Sequence, residues 1–411
     1  MKSFKLTLGQ DKELHRGQLF WHTTTERAAF YPALIEDQAC QIAIIGGGMS
    51  GAILAHQLSQ ASHDIIVVDK LQPGIGSSLG NTGIIQYHSD RALKDFIRIE
   101  GEQTAKDFYQ LCHDAMKRLD RIIEDLGAEV GYQPLESVYI THEVKDASAF
   151  KQETKSLIEH GFPAEYLSRE ALARDCGLVG EHGLITRDDA MINPFKLIQA
   201  LHEDSLRRGV KLFGNTIVKQ VSRKRGQERI TIETAEGHHI VAERVIFCTG
   251  YLEDFPALKN RDQLHSTYSV VTQPIKGPIW PKRRMVWDAA DPYLYFRVTE
   301  DDRLIAGGLD ETTDELSDMT TILQRAEQLL EQVRSYYPSL EAEPYVAWQS
   351  VFGVSRDELP FIGQDPKLDQ VYYALGFGGN GTCYSVAAAD ILSCLIEGRE
   401  HPYAYVVDPA R

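Results

Sequence analysis

The feature that most limits what this chain can become is the run Gly46-Gly47-Gly48-Met49-Ser50-Gly51. This G-x-G-x-x-G stands between a short apolar stretch, residues 41–45, and a helical one, residues 51–62. A second apolar stretch, residues 65–68, ends on Asp69, 23 positions after Gly46. Strand, glycine turn, helix and a second strand closed by an acid form the order in which a dinucleotide is held. The first glycine permits the tight turn, the second lets backbone approach a pyrophosphate, and the third lets helix and strand pack closely. The helix N-terminus then favours the phosphate charge. Asp69 would accept hydrogen bonds from a ribose diol and would disfavour a ribose 2′-phosphate.

Composition bounds the rest. The 411 residues are 43% apolar and 25% charged, with 43 basic against 59 acidic side chains. At roughly 150 residues per domain, this length predicts two or three domains with ample core, which excludes disorder and a disulfide-stapled miniature fold. A formal charge of −16 argues against wrapping nucleic acid or docking on anionic membranes. The six cysteines are dispersed without a CxxC or a Cys/His cluster of ligand spacing, so reduced thiols and no metal are expected. No apolar run approaches the roughly 18 residues of a membrane span, and the first residues lack an apolar leader core. The expectation is a cytoplasmic chain with no integral membrane segment.

No internal repeat organises the sequence. From residue 90 to 127, Phe96, Phe108, Leu111, Met116, Leu119 and Ile122 recur at helical intervals, predicting one or two amphipathic helices. Residues 230–232 and 239–241 flank Ala235-Glu236-Gly237 as a hairpin, and residues 293–298 and 303–306 read as another strand pair. Glycine-rich βα signals near both ends with β-rich blocks between them predict an α/β chain. Its Rossmann-like cofactor domain would be discontinuous, built from residues 37–90, 185–255 and 350–411. A β-rich, α+β substrate domain, residues 91–184 and 256–349, would be inserted, with 1–36 as an N-terminal segment.

Which dinucleotide is bound depends on Gly76-Ser77-Ser78-Leu79-Gly80-Asn81-Thr82-Gly83-Ile84-Ile85. This segment resembles the second flavin-contacting loop of the D-amino acid oxidase, glycine oxidase and sarcosine oxidase family, whose Ser, Asn and Gly positions are matched by Ser78, Asn81 and Gly83. Glu243 to Tyr251, with Cys248-Thr249-Gly250 at its end, resembles the family's strand and T-G turn over the cofactor. Residues 214–218, ending at Val218, resemble the strand bordering the adenine. Near the C-terminus, Phe352-Gly353-Val354-Ser355-Arg356-Asp357, then Gly376-Phe377-Gly378-Gly379-Asn380-Gly381-Thr382 before a helix, resemble the terminal flavin signature. The resemblance covers most of residues 20–400 in motif order and implies FAD. Its contacts would be Gly46, Gly48, Met49, Ser50, Gly51, Asp69 and Lys70; Ser77, Ser78, Asn81, Thr82 and Gly83; Val218; Cys248, Thr249 and Gly250; and Gly378 to Thr382. Backbone donors of that last loop and helix would stabilise negative charge on a reduced ring.

The same resemblance implies oxidation of a small amino acid or secondary amine by hydride transfer from carbon to flavin N5. Arg297 lies in Tyr293-Leu294-Tyr295-Phe296-Arg297, comparable to a family strand whose Arg clamps a carboxylate bidentately. A structural ion pair is the competing role for Arg297. Tyr293 and Tyr295 share its alternation and would line the same pocket, buried core tyrosines being the alternative. Departures from the family narrow the transfer. Leu79 and Gly83 stand where sarcosine oxidase-like members carry His and Arg, and residues 349–356 contain no cysteine for covalent attachment, so noncovalent FAD is expected. Gly379 replaces a basic residue of glycine oxidase-like members. The electron acceptor is left open, as are a 2-hydroxy-acid dehydrogenase, which would need a base for the hydroxyl proton, and a catalytically silent flavin-binding subunit.

Other candidates have simpler readings. His238-His239 reads as a solvated turn, Lys282-Arg283-Arg284 as a solvated loop, and His88 as an exposed helix start.

Overall fold

The computed structural model describes residues 3–8, 12–25, 28–251, 255, 258 and 263–411. The expected start of the inserted domain's second segment, residue 256, lies outside them. Two large sheets organise the described residues, one of nine strands and one of ten.

The first sheet is built around five parallel strands in the order Lys211–Phe213, Ile65–Val68, Gln38–Ile45, His239–Phe247 and Val371–Leu375. Their apolar runs do not alternate, because helices cover the sheet and both faces are buried. Ile42, Ala43, Ile44, Val67, Val245, Ile246 and Phe247 are fully enclosed. Helices Met49–Ser59, Pro194–Arg207 and Gly381–Ile396 pack together over this sheet, with Glu102–Leu126 against the last of them. His239–Phe247 serves two partners along one edge. Its first half pairs antiparallel with Ile230–Thr234, and its last three residues pair parallel with Val371–Leu375. The carboxyl ends of the parallel strands therefore converge on one crevice, where ligands of open α/β sheets bind.

The second sheet runs His15–Gly17, Pro344–Val354, Gln263–Pro274, Arg303–Glu311, Leu294–Val298, Met285–Asp288, Gln133–Thr141, His182–Met191 and Ile84–Ile85, with Ala164–Ser168 also on His182–Met191. Most of its pairs are antiparallel. Helix Met319–Tyr336 lays Ile322, Ala326, Leu329, Leu330 and Val333 on it, and Asp318 caps that helix by accepting from the Thr321 amide at 2.8 Å. Because Ile84–Ile85, His182–Met191 and Pro344–Val354 pair here, the sheet extends past limits drawn at 90/91, 184/185 and 349/350. Backbone pairing continues where the motif pattern stops.

Locally, residues 90–127 form two helices, Leu93–Glu100 and Glu102–Leu126, separated at Gly101 with φ +87°. The hairpin Ile230–Thr234/His239–Phe247 and the pair Leu294–Val298/Arg303–Glu311 are present. Three local expectations are corrected. Residues 214–217 are a bend between Lys211–Phe213 and Val218–Arg223, with Asn215 at φ +46°. His88 is buried, Nε2 lying 3.1 Å from Glu153 Oε1. Arg284 is buried as well, its Nε donating to Glu136 at 2.7 Å, so the basic triplet is not simply a solvated loop. All six cysteines are buried and free. Among the described residues no helix is long and apolar enough to cross a membrane.

Candidate functional site

The crevice is shaped first by missing side chains. A Cβ on Gly46, at φ +107°, would stand 2.3 Å from the Cys248 carbonyl oxygen, and one on Gly51 would stand 1.9 Å from that of Gly46. One on Gly48 would reach within 2.9 Å of Ser78 Oγ. Strand, turn and helix close together only without those atoms. The turn is then held by polar contacts. The Gly47 and Leu71 amides donate to Asp69 at 2.7 and 2.8 Å, one to each carboxylate oxygen. Burial pushes that carboxyl up to about 6 against those two donors, and each oxygen keeps acceptor capacity for a ribose hydroxyl. From the neighbouring helix, His202 Nε2 donates to the Gly47 carbonyl at 2.8 Å, its ring held neutral because burial lowers its pKa to about 4. Nothing in the motif pattern pointed to His202.

Remote segments join this turn. The Met49 amide donates to Ser78 Oγ at 3.0 Å, fastening the second glycine-rich loop to the helix start. Within that loop Asn81 Oδ1 accepts from the Gly83 amide at 2.6 Å, while Trp21 and Trp348 donate to the Asn81 and Gly80 carbonyls at 2.5 and 3.2 Å. Ser50 Oγ lies 3.1 Å from Ser385 Oγ, so helices Met49–Ser59 and Gly381–Ile396 begin side by side. Neither Gly48 nor Asn380 supplies a side-chain cap, which, apart from the Met49 amide taken by Ser78, leaves first-turn amides of both helices available at the crevice. Asn380 instead spends its Nδ2 on the His88 carbonyl at 3.1 Å.

One cavity, about 2100 Å³ including its open mouth, runs through these segments. Gly46, Gly48, Met49, Ser50, Asp69, Lys70, Ser77, Ser78, Asn81, Thr82, Val218, Cys248, Thr249, Gly250, Gly378, Gly379, Asn380 and Gly381 line it, and so do Tyr293 and Tyr295. Gly51, Gly83 and Thr382 are not among its lining residues. Gly51 enables the packing just described, Gly83 abuts Arg297, and Thr382 is buried with an unpartnered hydroxyl. The orphaned Thr249 hydroxyl on the cavity wall, the glycine cradle and the two uncapped helix starts fit a dinucleotide whose far end reaches the second sheet.

Arg297 lines a different cavity, with Trp21, Lys196 and Arg303. It is 2% exposed; Nε donates to the Thr82 carbonyl at 2.9 Å and Nη2 to that of Ile192 at 3.3 Å, with the guanidinium over the Trp21 ring at 5.5 Å. Burial lowers its pKa to about 9, Glu300 opposing. The Tyr293-Tyr295-Arg297 alternation thus opens onto two cavities, because the second glycine-rich loop comes between them.

Sequence reasoning also missed the carboxylates at the tyrosine end. Asp90 lines the cavity beside Gly379, whose notional Cβ would be 3.1 Å from Asp90 Oδ2. Asp310 has one oxygen buried without a partner and lies beside Thr267 and Tyr293. Burial pushes Asp310 up to about 6. Strand parity alone gave no signal for either: Asp90 lines the cavity from a bend, and Asp310 stands behind Tyr293, outside the lining. Among the described residues no three His, Cys, Asp or Glu side chains converge as metal ligands.

Comparison with known proteins follows the same outline. YhfW of Bacillus subtilis (strain 168), whose name describes a Rieske 2Fe-2S iron-sulfur protein, is 24% identical over 96% of this chain and 75% of its own length. Gamma-glutamylputrescine oxidoreductase of Escherichia coli (strain K12) is 21% identical over 92% of this chain and 88% of its own. Among solved structures, glycine oxidase from Geobacillus kaustophilus superposes with a TM-score of 0.78 at 17% identity, covering 91% of this chain and 99% of that one. The family model for FAD dependent oxidoreductases, DAO, matches residues 41–395. With the glycine cradle, the converging strand ends and the second sheet in place, the chain belongs to the DAO family of FAD-dependent oxidoreductases.

Proposed function

We propose that this enzyme oxidises a small amine or amino acid at its Cα–N bond, with FAD held noncovalently along the cavity. The observation that carries this reading is the continuity of one cavity from the glycine turn to Tyr293 and Tyr295. The backbone of Gly46 and Gly48 and the start of helix Met49–Ser59 would hold the pyrophosphate, Asp69 a ribose, and Gly378 to Gly381 the ring. Bound there, FAD would accept the hydride that leaves Cα, giving an iminium that water hydrolyses. The chain's own part is to orient Cα and keep water away, and Tyr293 and Tyr295 wall the cavity for that purpose. Arg297 acts in this reading as a brace for the Thr82 carbonyl. A 2-hydroxy acid fits less well, because no His lines the cavity among the described residues to take its hydroxyl proton. A cytoplasmic setting, in which the buried thiols stay reduced, belongs to the same reading.

The test is anaerobic mixing of the purified flavoprotein with amines, amino acids and hydroxy acids. Bleaching of the flavin by at least one amine or amino acid is expected; bleaching by hydroxy acids alone would defeat the proposal.

A further inference from the structure

The tyrosine end of the cavity has an electrostatic character that the reaction class does not require. Asp90 is open to the cavity, and Asp310 stands behind Tyr293 with one oxygen unpartnered. No Arg, Lys or His lines this end among the described residues, and Lys70 sits beside Asp69 at the opposite, ribose end. The basic side chains that adjoin Asp90 in sequence are engaged elsewhere. Arg91 Nε donates to Glu358 at 2.8 Å, and His88 Nε2 lies 3.1 Å from Glu153. Gly379 has no side chain to set against Asp90. The walls are aromatic, Tyr293, Tyr295 and Trp287 presenting rings of the kind that attract ammonium groups.

A second observation points to a ligand here. Ser350 lies opposite Thr267 in the register of Gln263–Pro274 and Pro344–Val354, so both side chains leave the same face of the sheet. Ser350 is 7% exposed, lines the cavity, and its hydroxyl has no partner. A buried hydroxyl left unsatisfied is costly unless something occupies the space before it.

Resting on the amine-oxidation reading and deepening it, we infer that the substrate is a cationic amine: it carries a positive charge besides the reacting nitrogen, as an alkyl diamine does, and no α-carboxylate. Asp90 and Asp310 supply the field for that charge and the rings its apolar surroundings. An α-amino acid would instead bring its carboxylate up against Asp90, with Asp310 behind Tyr293, and no guanidinium or ammonium lines this end to receive it.

Equilibrium binding separates this inference from the reaction itself. The holoenzyme is titrated with benzyltrimethylammonium, which cannot be oxidised here, and with benzoate, of similar ring and opposite charge, each read as a perturbation of flavin absorbance. The cation is expected to half-saturate at a concentration at least tenfold below the anion. In Asp90→Asn and Asp310→Asn holoenzyme the preference should fall to threefold or less. Equal or tighter benzoate binding by the unaltered protein overturns the inference, and needs no variant to fold. A preference unchanged in both variants overturns it too. In parallel, 1,4-diaminobutane should reduce the flavin at lower concentration than any α-amino acid. If no amine reduces it while the cation still binds preferentially, the oxidation reading fails and the charge assignment stands.

Discussion

Arg297 Nε donates to the Thr82 carbonyl at 2.9 Å, so a buried guanidinium with no carboxylate among its hydrogen-bond acceptors is spent on a loop that lines the cofactor cavity. Arg297→Leu should therefore loosen residues 81–83 rather than remove one class of substrate. The expected outcome is FAD affinity reduced about tenfold, as for loss of one charge-assisted hydrogen bond, and turnover of carboxylated and uncharged amines reduced by similar factors. Flavin release by ultrafiltration and parallel kinetics check this. A selective loss for carboxylated substrates would return Arg297 to the role of clamp.

Gly51 tests the cradle. A Cβ placed 1.9 Å from the Gly46 carbonyl oxygen forces helix and strand apart, so Gly51→Ala should cost about 1–3 kcal/mol of stability, as overpacking does, and abolish FAD retention. Thermal melts and the visible absorbance of oxidised flavin would measure both. A variant that keeps its flavin and its Tm would show that the packing is less tight than the geometry states.

Asp69→Ala should weaken FAD retention about tenfold, through loss of a ribose contact and of the amide anchors at Gly47 and Leu71. Unchanged affinity would refute the ribose assignment.

Asp310 carries a pH signature. Its carboxyl is raised from 3.8 to about 6 chiefly by burial, with Asp90 adding to the rise and Thr267 and Tyr293 opposing it. A raised acid is stabilising to the fold when protonated, and that benefit is lost as pH climbs through about 6. Asp310→Asn should accordingly raise the Tm of the apoprotein at pH 8 (roughly full ionisation), with the gain vanishing below about pH 4. Cation binding should run the other way, strongest above pH 7 and falling as pH drops below about 6. A variant less stable at every pH would identify Asp310 as a structural acid.

Gly379→Lys would place an ammonium within reach of Asp90, 3.1 Å from where its Cβ begins. Its backbone is not among those with positive φ, so a side chain fits once the Asp90 carboxylate gives by a few tenths of an ångström. The preference for benzyltrimethylammonium over benzoate should shrink about tenfold, measured by the same titration. An unchanged ratio would remove Asp90 from the recognition of charge.

The cofactor half of the fold was legible because its constraints are local. Gly46, Gly48 and Gly51 declare a turn that no other residue permits, and Asp69 sits at a fixed distance after it. The terminal Gly378 to Thr382 loop announces itself in the same way. What remained hidden depends on which surface meets which. Arg297 obeys the same alternation as Tyr295, yet Thr82 comes between them and divides their surroundings. Asp90 and Asp310 look like ordinary surface acids in sequence, as do many of the 59 acidic residues. His202 reads as a helix histidine until the helix is laid against Gly47. Sheet membership escaped for a related reason: Ile84–Ile85 has the apolar character of either sheet, and only pairing decides.

The contact between Ser50 and Ser385 joins positions 335 residues apart. During synthesis the first helix start therefore waits for some 335 further residues before its neighbour emerges from the ribosome, so the pyrophosphate seat is completed long after its glycine turn has been made. A chain lacking helix Gly381–Ile396 would keep its glycine turn, Asp69 and Ser78 but only half of that seat.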